Sequence, residues 1–384
     1  MGAETFRTAN HGLIGMPGSR AALQTPALVV DLDLLERNLA LVTEHCDRAG
    51  KSLRPHVKGH KCLELARRQV TAGAIGLSCT TLAEAELMVQ SGAPSLLITS
   101  TMVDPGRTGR LASLIRRVPE VVVVVDDEAA LQGLAESAAS ANARLRVLVD
   151  LDVGQRRTGI SVVDVRRIIA LAMAIERTPG LIFNGLQAYY GHLQGIPGFA
   201  ERAASARARQ AELRSVVDAL TESELPPRIV SGGGTGTLLI DTDESPFTEL
   251  QPGSYPFLDL QYGGEALTPD QRLWLTASLF VRGRVISTNQ PDRVTVDIGM
   301  KAIATDAGPP ALRDPAEFAA NYMFAGDEHG FLMISAAGER PMLGSTVELL
   351  PGHCDTTVNL HAVIHAVRGQ VLEAIWPIGA RGVW

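Results

Sequence analysis

The chain is short of cysteine, of long apolar runs and of clustered charge. Its four cysteines, Cys46, Cys62, Cys79 and Cys354, are scattered over 384 residues. That pattern excludes a disulfide framework and any zinc-finger spacing, and it fits a reducing, cytoplasmic environment. No uninterrupted apolar stretch reaches membrane-spanning length, and MGAETFRTANHGLIGMPGSR lacks the basic and apolar segments of a secretory signal. There is no long basic run, and the formal net charge is −7. Nucleic acid and anionic membrane surfaces are therefore poor partners, and a small molecule is the expected one. Internal repeats and low-complexity tracts are also missing.

What the chain does have is apolar material, 46% of its residues, enough for a large core and a second, smaller domain. From position 26 onward, β-rich runs alternate with stretches of helical periodicity. The runs are ALVVDL (27–32), LRPHV (53–57), IGLSC (75–79), LLITS (96–100), VVVVVD (121–126), LRVLVDLD (145–152), FNGLQAYY (183–190) and RIVSGG (228–233). Amphipathic segments such as LLERNLALVTEHC and TLAEAELMVQSG lie between them. Eight strands with helical crossovers predict an α/β fold, a parallel (β/α)8 TIM-type barrel, because parallel strands need long crossovers and two covered faces. A doubly wound open sheet is the competing arrangement, but no GxGxxG follows the first strand. Near QYGGEALTPD (261–270) the rhythm changes to strands separated by turns. The expected division is a barrel over 26–265 and a C-terminal β domain over 266–384, with residues 1–25 packing on the latter.

Strand alternation in LRPHVK puts Arg54, His56 and Lys58 on the inward face, with Lys58 at the C-terminal mouth where barrel enzymes keep their sites. Desolvation and neighbouring cations there would lower the lysine's pKa and expose a nucleophilic amine. Taken alone, Lys58 and Lys61 read more readily as surface turn lysines. VSGGGTGT (230–237) ends the eighth run, where backbone N–H groups can cradle a phosphate, and ELQPGSY (249–255) offers Gly253, Ser254 and Tyr255 as further donors. A mouth lysine facing a phosphate cup points to pyridoxal 5'-phosphate. In LDVGQRRTG (151–159) Arg157 can reach a cofactor oxygen or a substrate carboxylate, or be a solvated loop residue. LQAYYGHLQ (186–194) turns Gln187 and Tyr189 inward and leaves His192 beyond the strand end, as a general base or a structural group. In LLPGHCDTTVNLH (349–361), an extended backbone would put His353 and Asp355 on one face, suited to two ligands of a divalent ion.

Together these stretches, with QTPALVVDLDLLERNL, TELQPGSY, VDIGMKA and DEHG, resemble the fold-type III pyridoxal-phosphate enzymes. Within that group the resemblance is to the D-threonine aldolase, D-3-hydroxyaspartate aldolase and D-serine dehydratase family, whose N-terminal domain is alanine racemase-like. The resemblance implies a cofactor-holding barrel, a C-terminal β domain and a homodimer with active sites near the subunit interface. It makes Lys58 the lysine that takes the cofactor aldehyde, and Lys61 a second, non-catalytic lysine. Arg157 would lie near the cofactor's phenolic oxygen, and Tyr189 is counted among the cofactor-binding residues. Ser231, Gly232, Gly233, Gly234, Thr235, Gly253, Ser254 and Tyr255 fall in the phosphate-binding segments. His353 and Asp355 match the metal ligands of the aldolase branch, for Mn²⁺ or Mg²⁺ with Zn²⁺ as a further option, and His192 is the corresponding base. The substrate class implied is a D-β-hydroxy-α-amino acid, cleaved to glycine and an aldehyde. Dehydration to a 2-oxo acid and ammonia is the alternative, and His-Cys-Asp in place of His-x-Cys favours the aldolase. The chain departs from the usual pattern with HCDTT for HCDPT, and with Gly59 where threonine is common.

Overall fold

The computed structural model describes residues 8–263, 267–270, 274–313, 320–334 and 339–383. Part of the expected boundary segment near 265 lies outside them. Eight strands, Ser52–Leu53, Leu77–Cys79, Ser95–Ile98, Glu120–Val125, Leu145–Asp152, Leu181–Ala188, Ile229–Gly232 and Glu249–Leu250, pair in parallel in one sheet. Ser52–Leu53 and Leu77–Cys79 lie at the two ends of the strand order, and a parallel bridge between His56 and Ser78 joins them. Helices cover the outside. Leu32–Arg48 buries Leu35, Leu39, Val42 and Cys46, the three-and-four spacing of a single helical face. Leu82–Met88 starts where Thr81 Oγ1 accepts from Glu84 N at 3.2 Å.

The valine run shows how the barrel is filled. Val121, Val123 and Val125 pack outward with the helices, while Val122 and Val124 join Leu97 and Leu148 in a separate inner cluster. Each buried valine contributes about 1.5–3 kcal/mol, so burying both faces of the run outweighs its lack of polar pattern.

The first expected barrel strand belongs elsewhere. Ala27–Asp31 pairs antiparallel with Leu279–Ser287 and parallel with Val363–Arg368, so it lies within the second sheet. Its place in the barrel is taken by the two-residue strand Glu249–Leu250, which pairs with Ile229–Gly232 and Ser52–Leu53. An all-apolar run is equally at home in any strand covered on both faces, and nothing local in ALVVD specifies which sheet it joins. The barrel thus loses its expected N-terminal end to the second sheet. The N-terminal segment lies on that sheet too: Gly15 N and Arg20 N donate to Leu372 O and Gln370 O.

Among the described residues the second sheet comprises nine strands, in the path Ala320–Phe324, Gly330–Ile334, Arg293–Val296, Leu279–Ser287, Ala27–Asp31, Val363–Arg368 and Val371–Pro377, with Thr346–Leu350 and Ala311–Leu312 alongside. The HCD segment is not extended. His353 is the N-cap of a helix, Cys354–Leu360, so His353 and Asp355 are related by a helix start and not by strand parity. No described helix is long and apolar enough to cross a membrane.

Candidate active site

Lys58 sits in a short 3-10 turn, Val57–Gly59, that ends the strand carrying Leu53. The turn is set by His56, whose Nδ1 accepts from Lys58 N at 3.3 Å while Nε2 meets Thr99 Oγ1 at 3.1 Å. Below it, Arg54 grips Glu249 through two nitrogens at 2.7 and 2.9 Å and donates to Ser95 Oγ at 2.8 Å. Ser231 Oγ donates to the same Glu249 at 2.6 Å, and Gln251 Nε2 donates to Ser231 Oγ. A buried, charge-balanced layer therefore floors the barrel mouth.

Above that floor is a cavity of ≈ 450 Å³ lined by Lys58, Arg157, Tyr189, Gly234, Thr235, Gly253 and Ser254, with His56, Gln187 and Tyr262. The Arg157 guanidinium lies 5.7 Å from the Tyr189 ring centroid. Its loop is shaped by Asp152, which accepts from Gly154 N and Arg156 N at 2.9 and 2.8 Å. Two glycines of the cup have no room for side chains. A Cβ on Gly234 would stand 2.5 Å from Gln194 Oε1, and Gly233, at φ +70°, would meet Asp241 Oδ2 at 2.5 Å. Gln187 Oε1 and Thr80 Oγ1 are buried at the cavity without a hydrogen-bond partner among the described residues.

Lys58 Nζ donates to Asp355 Oδ2 at 2.6 Å. This pair joins the barrel mouth to the helix of the second domain, and it overturns the expected effect on the lysine. The Asp355 carboxylate lifts the ammonium above its ordinary value, outweighing desolvation. Burial opposes charge on Asp355, and Lys58 overrides it and holds the carboxyl at about 2. Burial, and then Lys58, push His56 down to about 3, so its imidazole is neutral. Gly59 packs closely beside this pair: a Cβ there would lie 2.7 Å from Asp355 Oδ1. The helix bearing Asp355 is anchored by buried Asp259, whose Oδ2 accepts from Cys354 N at 2.7 Å. His353 Nδ1 is 2.6 Å from Asp306 Oδ2.

Of the expected residues, Ser231, Gly233, Tyr255, His192, His353 and Asp355 are not part of the cavity lining. Tyr255 is buried with its hydroxyl accepting from Gln69 Nε2 at 3.3 Å, so its ring faces the outer core and not the cup. Ser231 spends its hydroxyl in the floor network. His192 is exposed on the turn Gly191–Leu193, its ring beside Gly154 at the rim. Thr99, Tyr262, Asp259 and Asp306 were missed, and only strand parity, which singles out Gln187, had marked any of the additional lining.

The cavity suits pyridoxal phosphate: a lysine at its edge, a cup in which Gly233 and Gly234 are too tight for side chains, and a cation beside an aromatic ring. His353 and Asp355 offer a nitrogen and a carboxylate, a donor pair suited to Mn²⁺, Mg²⁺ or Zn²⁺. No group of three or more His, Cys, Asp or Glu that could hold a metal occurs among the described residues, so such an ion would rely on two protein ligands.

Comparison with known proteins places this architecture. Residues 30–260 match the family model "Alanine racemase, N-terminal domain", and residues 278–367 match "Putative serine dehydratase domain". A D-threonine aldolase from Arthrobacter sp is 39% identical over 362 residues, 94% of each chain. This chain belongs to the D-threonine aldolase family. A 3-hydroxy-D-aspartate aldolase from Paracoccus denitrificans (strain Pd 1222) is a further member at 34% identity, over 96% of this chain and 95% of that one. The crystal structure of D-threonine aldolase from Filomicrobium marinum superposes with a TM-score of 0.89 at 35% identity, covering 95% of this chain and 97% of that chain. Membership of the family also carries the pyridoxal-phosphate-dependent fold of the alanine racemases.

Proposed function

We propose that the protein is a carbon–carbon lyase that splits D-β-hydroxy-α-amino acids into glycine and an aldehyde, using pyridoxal phosphate and a divalent cation. The observation that carries this reading is the 2.6 Å pair between Lys58 and Asp355. It brings Lys58 at the cavity edge and the His-Cys-Asp segment, far apart in sequence, together in one place. Pyridoxal phosphate supplies an electron sink for charge developing at Cα, and the divalent ion supplies a Lewis acid for the β-hydroxyl.

The chain's own residues do the rest. Lys58 anchors the cofactor aldehyde, and the backbone of Gly233, Gly234, Thr235, Gly253 and Ser254 orients its phosphate. Arg157 beside Tyr189 offers two guanidinium donors to a carboxylate or a phenolic oxygen. His353 and Asp355 hold the divalent ion. His192, at the rim next to the lining residue Gly191, is kept below its ordinary pKa by partial burial and Arg209, so it is a neutral imidazole able to accept the β-hydroxyl proton. A homodimer with the cavity near the subunit contact completes the proposal.

The holoenzyme, incubated with D-threonine, D-phenylserine, D-3-hydroxyaspartate and D-serine, should give glycine and the matching aldehyde from the substrates that react. A 2-oxo acid with ammonia would make it a dehydratase built from the same residues. Lys58→Ala should lose the visible absorbance of the bound cofactor together with turnover; a fully retained band would overturn the assignment of Lys58.

A further inference from the structure

Asp306 lies outside the cavity lining and outside every motif read from the sequence, in a loop of the second domain. Its carboxylate is nevertheless fixed at both oxygens. Oδ2 is 2.6 Å from His353 Nδ1, and Oδ1 accepts from Thr356 Oγ1 at 2.7 Å. The loop itself is stitched to the helix it faces: Ala304 N donates to Thr357 Oγ1 at 3.3 Å, and His361 Nε2 donates to Ala302 O at 2.7 Å. Gly352 lets the two segments close, since a Cβ there would stand 2.9 Å from Ala307 O.

A carboxylate against Nδ1 accepts a hydrogen bond from Nδ1–H and so keeps the imidazole proton there, which leaves Nε2 as the unprotonated, lone-pair-bearing atom of His353. An imidazole held in this tautomer by a carboxylate is oriented as a ligand and made more basic. We propose that Asp306 is a positioning residue for the divalent cation: it fixes the tautomer and ring plane of His353 and thereby sets how tightly His353 and Asp355 bind the ion. This rests on the proposed metal-dependent reading of the site. Thr356 shares the task by holding the Asp306 carboxylate in plane, which gives the first threonine of HCDTT a purpose.

The test is Mn²⁺ binding to the metal-stripped, cofactor-loaded protein, followed by calorimetry or by the electron paramagnetic resonance of free Mn²⁺. Asp306→Ala should weaken binding about 10–100-fold, the usual effect of removing such a partner. Asp306→Asn retains an oxygen that accepts from Nδ1–H, and should recover affinity to within about fivefold of the parent. The Asp306 side chain is 45% exposed, so neither change empties a core site, and cofactor absorbance and melting temperature should be retained. Asp306→Ala binding Mn²⁺ within about twofold of the parent would overturn the inference while leaving the aldolase reading intact. Equal losses in the alanine and asparagine variants would overturn it as well, by making Asp306 a direct ligand. A parent protein that takes up no Mn²⁺ would remove the metal reading and this inference together.

Discussion

The basic stretch RPHVKGHK looks like one charged patch, and the structure divides it into separate jobs. Arg54 is locked to Glu249 in the floor of the mouth, His56 and His60 are buried and neutral, Lys58 faces the cavity, and Lys61 lies 3.7 Å from Glu84. None of its charge is left over for an anionic partner. Strand parity made Arg54, His56 and Lys58 legible as inward residues, because side-chain direction follows from the backbone alone. Their partners were not legible, because Glu249 and Asp355 arrive from distant strands and helices. The Arg54–Glu249 pair is the clearest case for a test. Its groups are 3% exposed, so removing one charge strands the other in a poorly solvated interior. Glu249→Gln should cost about 3–5 kcal/mol in denaturant unfolding, whereas replacing both members with apolar residues of similar volume should recover most of that loss. A single variant as stable as the parent would mean the floor is open to water.

Strand Leu181–Ala188 shows what a local irregularity does for the site. Its register against Leu145–Asp152 shifts between Val147 and Leu148, where Phe183 and Gly185 are the successive partners. Asn184 is the extra residue of a bulge. Gly185 has φ +140°, and a Cβ there would stand 1.8 Å from Ile229 O of the neighbouring strand. The bulge thus lets two strands approach and aims Gln187 and Tyr189 into the cavity. Gly185→Ala should destabilise the protein by at least about 3 kcal/mol, the range in which backbone clash and strain fall, and thermal melting would show it. A melting temperature equal to the parent's would exclude the close approach. The sequence made this strand readable by its apolar run. Other elements were misread for physical reasons: Glu249–Leu250 is too short to carry a pattern, ALVVD is buried on both faces in either sheet, and HCDTT begins a helix whose cap comes from a side chain 95 positions away, Asp259.

The segment just after Lys58 joins the cavity-bearing barrel to the second domain. Lys61 O accepts from Ala380 N at 3.2 Å, and Lys61 Nζ reaches Asn359 Oδ1 at 3.4 Å. His60 lies beneath this contact with no exposed surface; its Nδ1 accepts from Cys62 N at 3.1 Å and its Nε2 meets Gln69 Oε1 at 3.2 Å. Burial pushes the imidazole down to about 4 from the ordinary 6.5, against the hydrogen bond to Gln69. The unfolded chain therefore takes up a proton near pH 6.5 that the folded protein refuses until about pH 4. Stability contributed by neutral His60 is complete above pH 6.5 and is lost as pH falls through that interval, by about 1.4 kcal/mol per pH unit. His60→Gln removes the titrating group but keeps a polar side chain. Whatever the substitution costs at neutral pH, the dependence of unfolding free energy on pH between 6 and 4.5 should flatten by the equivalent of about one proton. Parallel pH profiles for the parent and the variant would show that His60 is already protonated in the folded protein, and that the contact beneath the docked sheets is wetter than its burial implies.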